Sequence, residues 1–445
     1  MINENITAIS TALGASGVAV IRISGDSPLE IAQKMFKPLD KKKVSEFEPY
    51  KMYVGEILTD DFTDFGMCVY FKAPKSFTGE DVVEFHSHGG TAITKGILKK
   101  ILSLGARLAT NGEFTKRAFL NGKLSLSSCE GLIDMINSES VSGVKAGYAL
   151  YREKLTKKVE SLQNQITEVL SQIEVDVDYP EENLEKTSLE KVRQTVSQVN
   201  EEIQTLLKSF KTGRVLKQGV KIAIVGKPNT GKSSILNALL AFDKAIVSDI
   251  PGTTRDIVEG AIDINGVRFN FLDTAGIRRS SDKIEEIGVD LSKKTLLESD
   301  LIVFVLDASE INAQDEEIYE LVKDKNTLVV VNKTDKGDYR DERADVYVSA
   351  LKNSNIEELR QQIFNKTVGA GIDYNGDFLC EERHYNALER ALDKFKQGLE
   401  NLEIMPLDII SIDIKDGWTA LGEISGKTAT EEIINDIFAR FCVGK

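Results

Sequence analysis

Cysteine is scarce in this chain. Only four of its 445 residues are cysteines (Cys68, Cys129, Cys380 and Cys442), and no two form a C-x-x-C pair. That argues against a disulfide framework or a structural zinc site, and it fits a reducing cytosol. Long apolar runs are missing too: none approaches the roughly 18 residues that a membrane-spanning helix needs. The opening MINENITAIS has no charged stretch followed by an apolar signal core. A cytoplasmic protein with no membrane association is expected. Basic excess is also absent, the formal net charge being −14. Neutralised phosphates supply much of the affinity for nucleic acid, so a chain of this charge is not built to grip RNA alone. Lys145 to Lys158 is a local exception, where Lys145, Arg152, Lys154, Lys157 and Lys158 accompany only Glu153. It reads as a solvated helix face. No solenoid-period repeat and no low-complexity tract occurs.

The chain has 41% hydrophobic residues, enough for several cores, and its length suggests about three domains. Residues 1 to about 118 read as mixed α/β. GVAVIRISG and MCVYFKAP look like strands, Thr91 to Leu108 like an amphipathic helix, and KPLDKKKVSEFEPY like a polar loop. From about 125 the pattern turns helical. Leu155, Val159, Leu162, Ile166, Val169 and Ile173 alternate steps of four and three. Val192, Val196, Val199, Ile203 and Leu206 do the same after a break at Asp178-Tyr179-Pro180, and Leu388, Leu392, Phe395, Leu399 and Leu402 repeat the rhythm. A tail this short is marginal as a separate core, so it is expected to pack on the upstream helices. The predicted domains are 1–118, 119–215, 216–372 and 373–445. The third is an α/β P-loop GTPase (Ras-like) domain inserted into an all-α helical domain formed by the second and fourth. The first is α+β.

The inserted block opens with the strand-like KIAIVG and runs into GKPNTGKSSILNALL, so that Gly226 to Ser233 matches G-x-x-x-x-G-K-[ST]. Backbone N–H groups of such a loop curl round phosphates at a helix N-terminus. The loop's expected contacts with GTP are Gly226, Asn229, Thr230, Gly231, Lys232, Ser233 and Ser234. Lys232 should reach the β- and γ-phosphates, and Ser233 should hold magnesium. A strand then ends in Asp273-Thr274-Ala275-Gly276, where the aspartate suits the outer magnesium shell and the glycine N–H the γ-phosphate. Another strand ends in Asn332-Lys333-Thr334-Asp335, followed by Ser349-Ala350-Leu351. Asp335 can accept two hydrogen bonds from guanine. Adenine offers no such pair and would leave the carboxylate unpaired. These motifs in this order predict a protein that binds and hydrolyses GTP.

In many small GTPases a glutamine after D-x-x-G orients the attacking water, but here that position is Ile277. Glu285 and Glu286 are candidates for the task. Arg255, Arg278 and Arg279 are candidates for a positive charge supplied in cis, or are solvated switch residues.

The whole chain resembles the tRNA-modification GTPase family called MnmE or TrmE. DIPGTTRD (249–256) is similar to the family's first switch, and SFTGEDVVEFHSHGG, GEFTKRAFLNGKLSL and the final CVGK are more specific still. The resemblance implies further GTP contacts at Ser248, Asp249, Ile250, Pro251, Gly252, Thr253 and Thr254. It implies magnesium at Thr254 beside Ser233, and potassium in place of an arginine finger, held by Asn229, Ser248, Ile250 and Thr253. Glu285 is implied as the water-orienting catalytic residue beside Lys232; for Asn229, a loop-rigidifying hydrogen bonder stays open. The resemblance implies a folate-binding and dimerising N-terminal domain with contacts at Arg22, Glu84, Lys123 and Lys445. Where the family often has a Pro-Pro-Gly turn, this chain has Thr11-Ala12-Leu13-Gly14-Ala15. The implied activity pairs a homodimer with an FAD-dependent partner in a hetero-oligomer. With 5,10-methylene-tetrahydrofolate (5-formyl-tetrahydrofolate as an analogue), it installs a (carboxymethyl)aminomethyl group at carbon 5 of the wobble uridine of certain tRNAs. The competing readings are a ribosome-assembly GTPase switch without covalent chemistry and a stand-alone folate-dependent transferase.

Three weaker signals remain. Glu84, His86 and His88 alternate on a strand and could hold non-haem iron, or the histidines pack beside a folate-contacting glutamate. Cys442 sits where a prenylated cysteine would, but Gly444 and Lys445 do not suit that motif. A buried cysteine near the folate pocket fits the resemblance better, with a redox or nucleophilic role as the alternative. Thr428 to Glu431 looks like a capping box.

Overall fold

The computed structural model describes residues 4–178, 189–242, 258–272, 295–369 and 378–444. The chain divides into two compact units, Met1–Ile133 with Leu150–Asn200 and Ala387–Lys445, and Asp134–Ala149 with Glu201–Asn386.

The first unit contains a seven-stranded sheet in the order β3-β4-β5-β6-β2-β1-β7. Its strands are β1 (Ile6–Ile9), β2 (Ser16–Gly25), β3 (Phe36–Pro38), β4 (Met52–Leu58), β5 (Thr63–Phe71), β6 (Asp81–Gly89) and β7 (Arg107–Leu108). All neighbours are antiparallel except β1 and β7. Alternation along β2 and β6 sends Ile21, Ile23, Val83 and Phe85 into a core shared with Ile31, Met35, Ile97 and Ile101 of the helices Pro28–Met35 and Thr91–Ser103. The second helix is shorter than the sequence suggests: it stops at Ser103, and Arg107-Leu108 joins the sheet beside Ile6 and Thr7. The polar loop also carries structure. Val44 and Phe47 are buried, and the Phe47 ring stacks on Tyr53 at 3.8 Å.

The helical stripes behave as their spacing predicts. Leu155, Val159, Leu162, Ile166, Val169 and Ile173 of the helix Lys154–Asp178 are buried, as are Val192, Val196, Val199, Ile203 and Leu206 of Leu189–Gln218. In the helix Glu382–Glu400, Leu388, Leu392 and Phe395 are buried, and Leu402 follows just beyond it. The final helix, Glu431–Ala439, is capped by Thr430, whose hydroxyl accepts from the Ile433 N–H. Thr428 instead donates to the Thr419 carbonyl, so the cap lies two residues later than the sequence pattern suggests.

The second unit holds a six-stranded sheet in the order β13-β12-β11-β8-β10-β9. Its strands are β8 (Val220–Val225), β9 (Val258–Ile264), β10 (Val267–Leu272), β11 (Leu301–Asp307), β12 (Thr327–Asn332) and β13 (Val346–Tyr347). Every pairing is parallel except the β9–β10 hairpin. Cores line both faces, which is why β11 reads as an uninterrupted apolar run and is buried throughout. This is the mostly parallel sheet of a P-loop GTPase domain, inserted in sequence between helical segments; with the α+β sheet of the first unit it makes the chain multidomain. Lys217, near the end of Leu189–Gln218, pairs with both Asp134 (2.8 Å) and Glu381. Burial first, then repulsion from Glu381, pushes the Asp134 carboxyl up to about 8.

No helix among the described residues is long and apolar enough to cross a membrane.

Candidate functional site

In an open parallel sheet, ligands are held by loops leaving the carboxyl ends of the strands. Here β8 ends at Val225 and the chain turns through 226–231 into the helix Lys232–Phe242. Lys232 Nζ donates to the carbonyls of Gly226 (2.7 Å) and Lys227 (2.9 Å). Thr230 is buried and its hydroxyl donates to the Lys227 carbonyl. Asn229 has φ +64 and is exposed at the rim, as are Ser233 and Ser234 on the first helical turn. Gly231 has φ +94, and a Cβ there would lie 2.3 Å from Asn332 Nδ2, so backbone and amide meet where no side chain fits.

The ends of β12 and β13 are wired to that loop. The Asn332 side chain, 2% exposed, donates to the Thr230 carbonyl (2.9 Å) and accepts from the Ala350 N–H (3.1 Å). Lys333 Nζ reaches both the Asn229 carbonyl and Asp307 Oδ2, each at 2.6 Å. The Thr334 N–H donates to the Val348 carbonyl. Ser349 donates to Asp335 Oδ1 at 2.6 Å, and this bond holds the Asp335 carboxyl below the usual carboxylate range. Leu351 is exposed beside it. Loop amides and a lysine thus face one region, and an ionised carboxylate fixed by a hydroxyl lies on the neighbouring loops. Such a set can take a phosphate chain at one end and a paired N–H donor at the other.

Two features escaped the sequence reading. Asp307 holds Lys333; burial works to raise its pKa, but bonds from Lys333 and Ser309 outweigh that and hold it low. Its signal was available, since it ends an apolar strand just as Asn332 does. The other is a buried pair between Lys227 and Asp315 (2.9 Å), for which the motif gives no hint. Ser248 to Thr254, Arg255, Asp273 to Gly276, Ile277, Arg278, Arg279, Glu285, Glu286 and Lys445 lie outside the described residues.

On the first sheet, Arg22 and Glu84 face each other across β2 and β6, with Nε 2.7 Å from Oε1. The Arg22 guanidinium also lies over the rings of Phe77 and Phe114. Burial works to raise the Glu84 pKa, but the nearby His86 ring and Arg22 hold it below its ordinary value. His86 Nε2 sits 3.4 Å from Glu84 Oε2. His88 turns to a different carboxylate, its Nδ1 lying 2.7 Å from Asp64 Oδ1. Glu84, His86 and His88 therefore do not converge as an iron triad. Lys123 Nζ donates to the Pro74 carbonyl. The chain's last segment runs alongside: Val443 bridges Asn111, and a Cβ on Gly444 would be 2.3 Å from the Ile9 carbonyl, next to Ala8, the strand partner of Arg22. Cys442 is exposed rather than buried, because it is the backbone of this segment that docks, the Cys442 carbonyl accepting from the Gly112 N–H. Cys68 and Cys129 are buried, and burial raises both thiols.

Comparison with known proteins follows this layout. A family described as the MnmE helical domain matches residues 126–442, and one described as the GTP-binding protein TrmE N-terminus matches 5–123. The chain is 40% identical over 457 residues to the tRNA modification GTPase MnmE of Clostridioides difficile (strain 630), with 100% of each chain covered. It is 39% identical over 451 residues to that of Streptococcus pneumoniae (strain Hungary19A-6), with 99% of each covered. Among solved structures, a variant of Era from Aquifex aeolicus bound to GDP.AlF4- is 32% identical, over 39% of this chain and 66% of that one, with a TM-score of 0.27.

Proposed function

The chain belongs to the MnmE family of tRNA modification GTPases, and from that premise we propose that it is the GTP-driven half of a wobble-uridine modifying complex. An FAD-dependent partner and a methylene-tetrahydrofolate supply the carbon chemistry, and a (carboxymethyl)aminomethyl group is built on carbon 5 of the uridine. Hydrolysis of GTP drives conformational change. The domain limits 1–118, 119–215, 216–372 and 373–445, a homodimer, a hetero-oligomer with the flavoprotein and a cytoplasmic location belong to the same proposal.

The observation that carries the reading is the Asn332 amide, which joins the Thr230 carbonyl to the Ala350 N–H and so couples the phosphate loop to the base-side loops. In this reading Gly226, Asn229, Thr230, Gly231, Lys232, Ser233 and Ser234 hold the phosphates. Lys232 exchanges its loop carbonyls for phosphate oxygens, and Asp335 receives the guanine N–H pair beside Ser349, Ala350 and Leu351. The exposed Ser233 and Asn229 suit cation ligands: Ser233 with Thr254 for magnesium, and Asn229 with Ser248, Ile250 and Thr253 for potassium. When bound, the two cations offset charge that develops on the phosphate oxygens, the part an arginine finger plays elsewhere. Asp273 to Gly276 approach the γ-phosphate side, Asp249, Pro251 and Gly252 line the first switch, and Glu285 orients the attacking water. Arg22, Glu84, Lys123 and Lys445 hold the folate. The Arg22–Glu84 pair with the His86 ring beside it offers a polar face that suits such a ligand.

Nucleoside analysis of tRNA from a strain lacking the protein tests the proposal. Wobble uridines that lose the substituent and regain it with the restored gene are expected. Unchanged uridines would point instead to a ribosome-assembly switch.

A further inference from the structure

We propose that Lys227 is a positioning residue of the phosphate loop, anchoring its first peptide to the start of the helix Ala313–Val322 through Asp315. The inference rests on the reading of Gly226 to Ser233 as the phosphate loop and goes beyond it. The residue after Gly226 is unspecified in the motif, yet here it is a lysine only 7% exposed, and Asp315 is 1% exposed. Lysine and aspartate are almost never buried unless paired.

The Lys227 backbone and side chain do different things. Its carbonyl accepts from Lys232 Nζ (2.9 Å) and from the Thr230 hydroxyl (3.1 Å), so this one peptide fixes both the phosphate-reaching lysine and the loop's turn. Its side chain runs the other way, donating to Asp315 Oδ2 (2.9 Å) and to the Glu310 carbonyl (2.6 Å). Asp315 Oδ2 also accepts from the Asn312 N–H (3.0 Å), closing a capping box, while its Oδ1 is buried with no partner. A cap needs no burial, since a solvated carboxylate caps equally well. Burial of this one, at the expense of one oxygen, fits an anchor for Lys227.

The anchoring segment is tied to the loop a second time. It begins at Asp307, which holds Lys333, and Lys333 holds the Asn229 carbonyl. Residues 307–315 therefore grip the loop at its first peptide and at its crest. A loop held at both points keeps its amides convergent before a ligand arrives, so binding has less disorder to remove. Cutting the Lys227–Asp315 tie should weaken nucleotide holding more than it slows hydrolysis by the saturated protein.

The test uses the full chain and fluorescent GDP and GTP, with Lys227→Met, Asp315→Asn and the conservative Lys227→Arg. Met and Asn at these sites are expected to speed nucleotide release, and weaken binding, by about tenfold or more, with kcat at saturating GTP within about threefold of wild type. Arg, which reaches the same acceptors, should restore release to within about threefold. A merely stabilising pair would lower the melting temperature while leaving release from the folded protein unaltered, and that result overturns the inference. If Lys227→Met does not fold, the isosteric Asp315→Asn decides by the same readout. Wild-type protein that holds ATP as firmly as GTP, or a Lys232→Ala variant that binds normally, would defeat the underlying GTP-site reading instead.

Discussion

Replacing Gly231 by alanine perturbs the site at its narrowest point. The backbone there has φ +94, which a side-chain-bearing residue adopts at a cost of about 1–2 kcal/mol. The new Cβ would also sit 2.3 Å from Asn332 Nδ2. That amide cannot swing aside freely, because it is buried and bonded at both ends, to the Thr230 carbonyl and the Ala350 N–H. Displacing it leaves buried groups unpaired, for about 1–3 kcal/mol more. Together the terms come to roughly 2–5 kcal/mol, or a ~30-fold to several-thousand-fold loss if all of it falls on GTP binding. Calorimetric titration with a slowly hydrolysed GTP analogue, alongside thermal denaturation, separates binding from stability. Gly105→Ala is the control: its φ is +105 but nothing lies within 4 Å of the added carbon, so only backbone strain enters and GTP affinity should not change. A Gly231→Ala protein with wild-type affinity and wild-type melting temperature would refute the reasoning.

Other expectations follow from neighbouring observations. Asp335→Asn should weaken GTP by about a hundredfold or more and shift preference toward xanthosine triphosphate, whose carbonyl oxygen on carbon 2 accepts from the new amide; unaltered GTP affinity would remove Asp335 from base recognition. Glu285→Ala should leave GTP affinity intact while single-turnover hydrolysis collapses, and near-normal turnover would assign the water to another group. Exchanging potassium for sodium should slow hydrolysis in the intact protein; equal rates would take Asn229 out of the ion site. Asp134 has its folded-state pKa raised to about 8, so between about pH 4 and 8 the folded chain binds a proton that the unfolded chain does not. Stability should therefore fall as pH rises through that window, by up to about 1.4 kcal/mol per pH unit, and level off above it. Asp134→Asn should flatten that slope in melting curves from pH 5 to 9, and parallel curves for the two proteins would contradict it.

What the sequence discloses is what local pattern dictates. The three apolar stripes lie where a 3.6-residue period puts them, and KIAIVG and LVVVN are strands because buried parallel strands need continuous apolar runs. Pairings between distant residues leave no local trace. Nothing near Lys227 announces Asp315, 88 residues on, and nothing near Lys217 distinguishes it from a surface lysine until Asp134 and Glu381 are brought to it. Boundaries err for a related reason. Arg107-Leu108 looks like the end of a helix because its apolar residue keeps helical phase, but its pairing with Ile6 and Thr7 decides the matter. Thr428 matches the capping-box spacing with Glu431, but the geometry of the turn places the cap at Thr430.

Titrating the full-length chain with GTP and then with ATP, in magnesium and potassium, tests the central claim most directly. Preference for GTP by about a hundredfold or more is expected from a carboxylate that pairs with guanine and is stranded by adenine. Equal affinity for the two nucleotides would contradict the account.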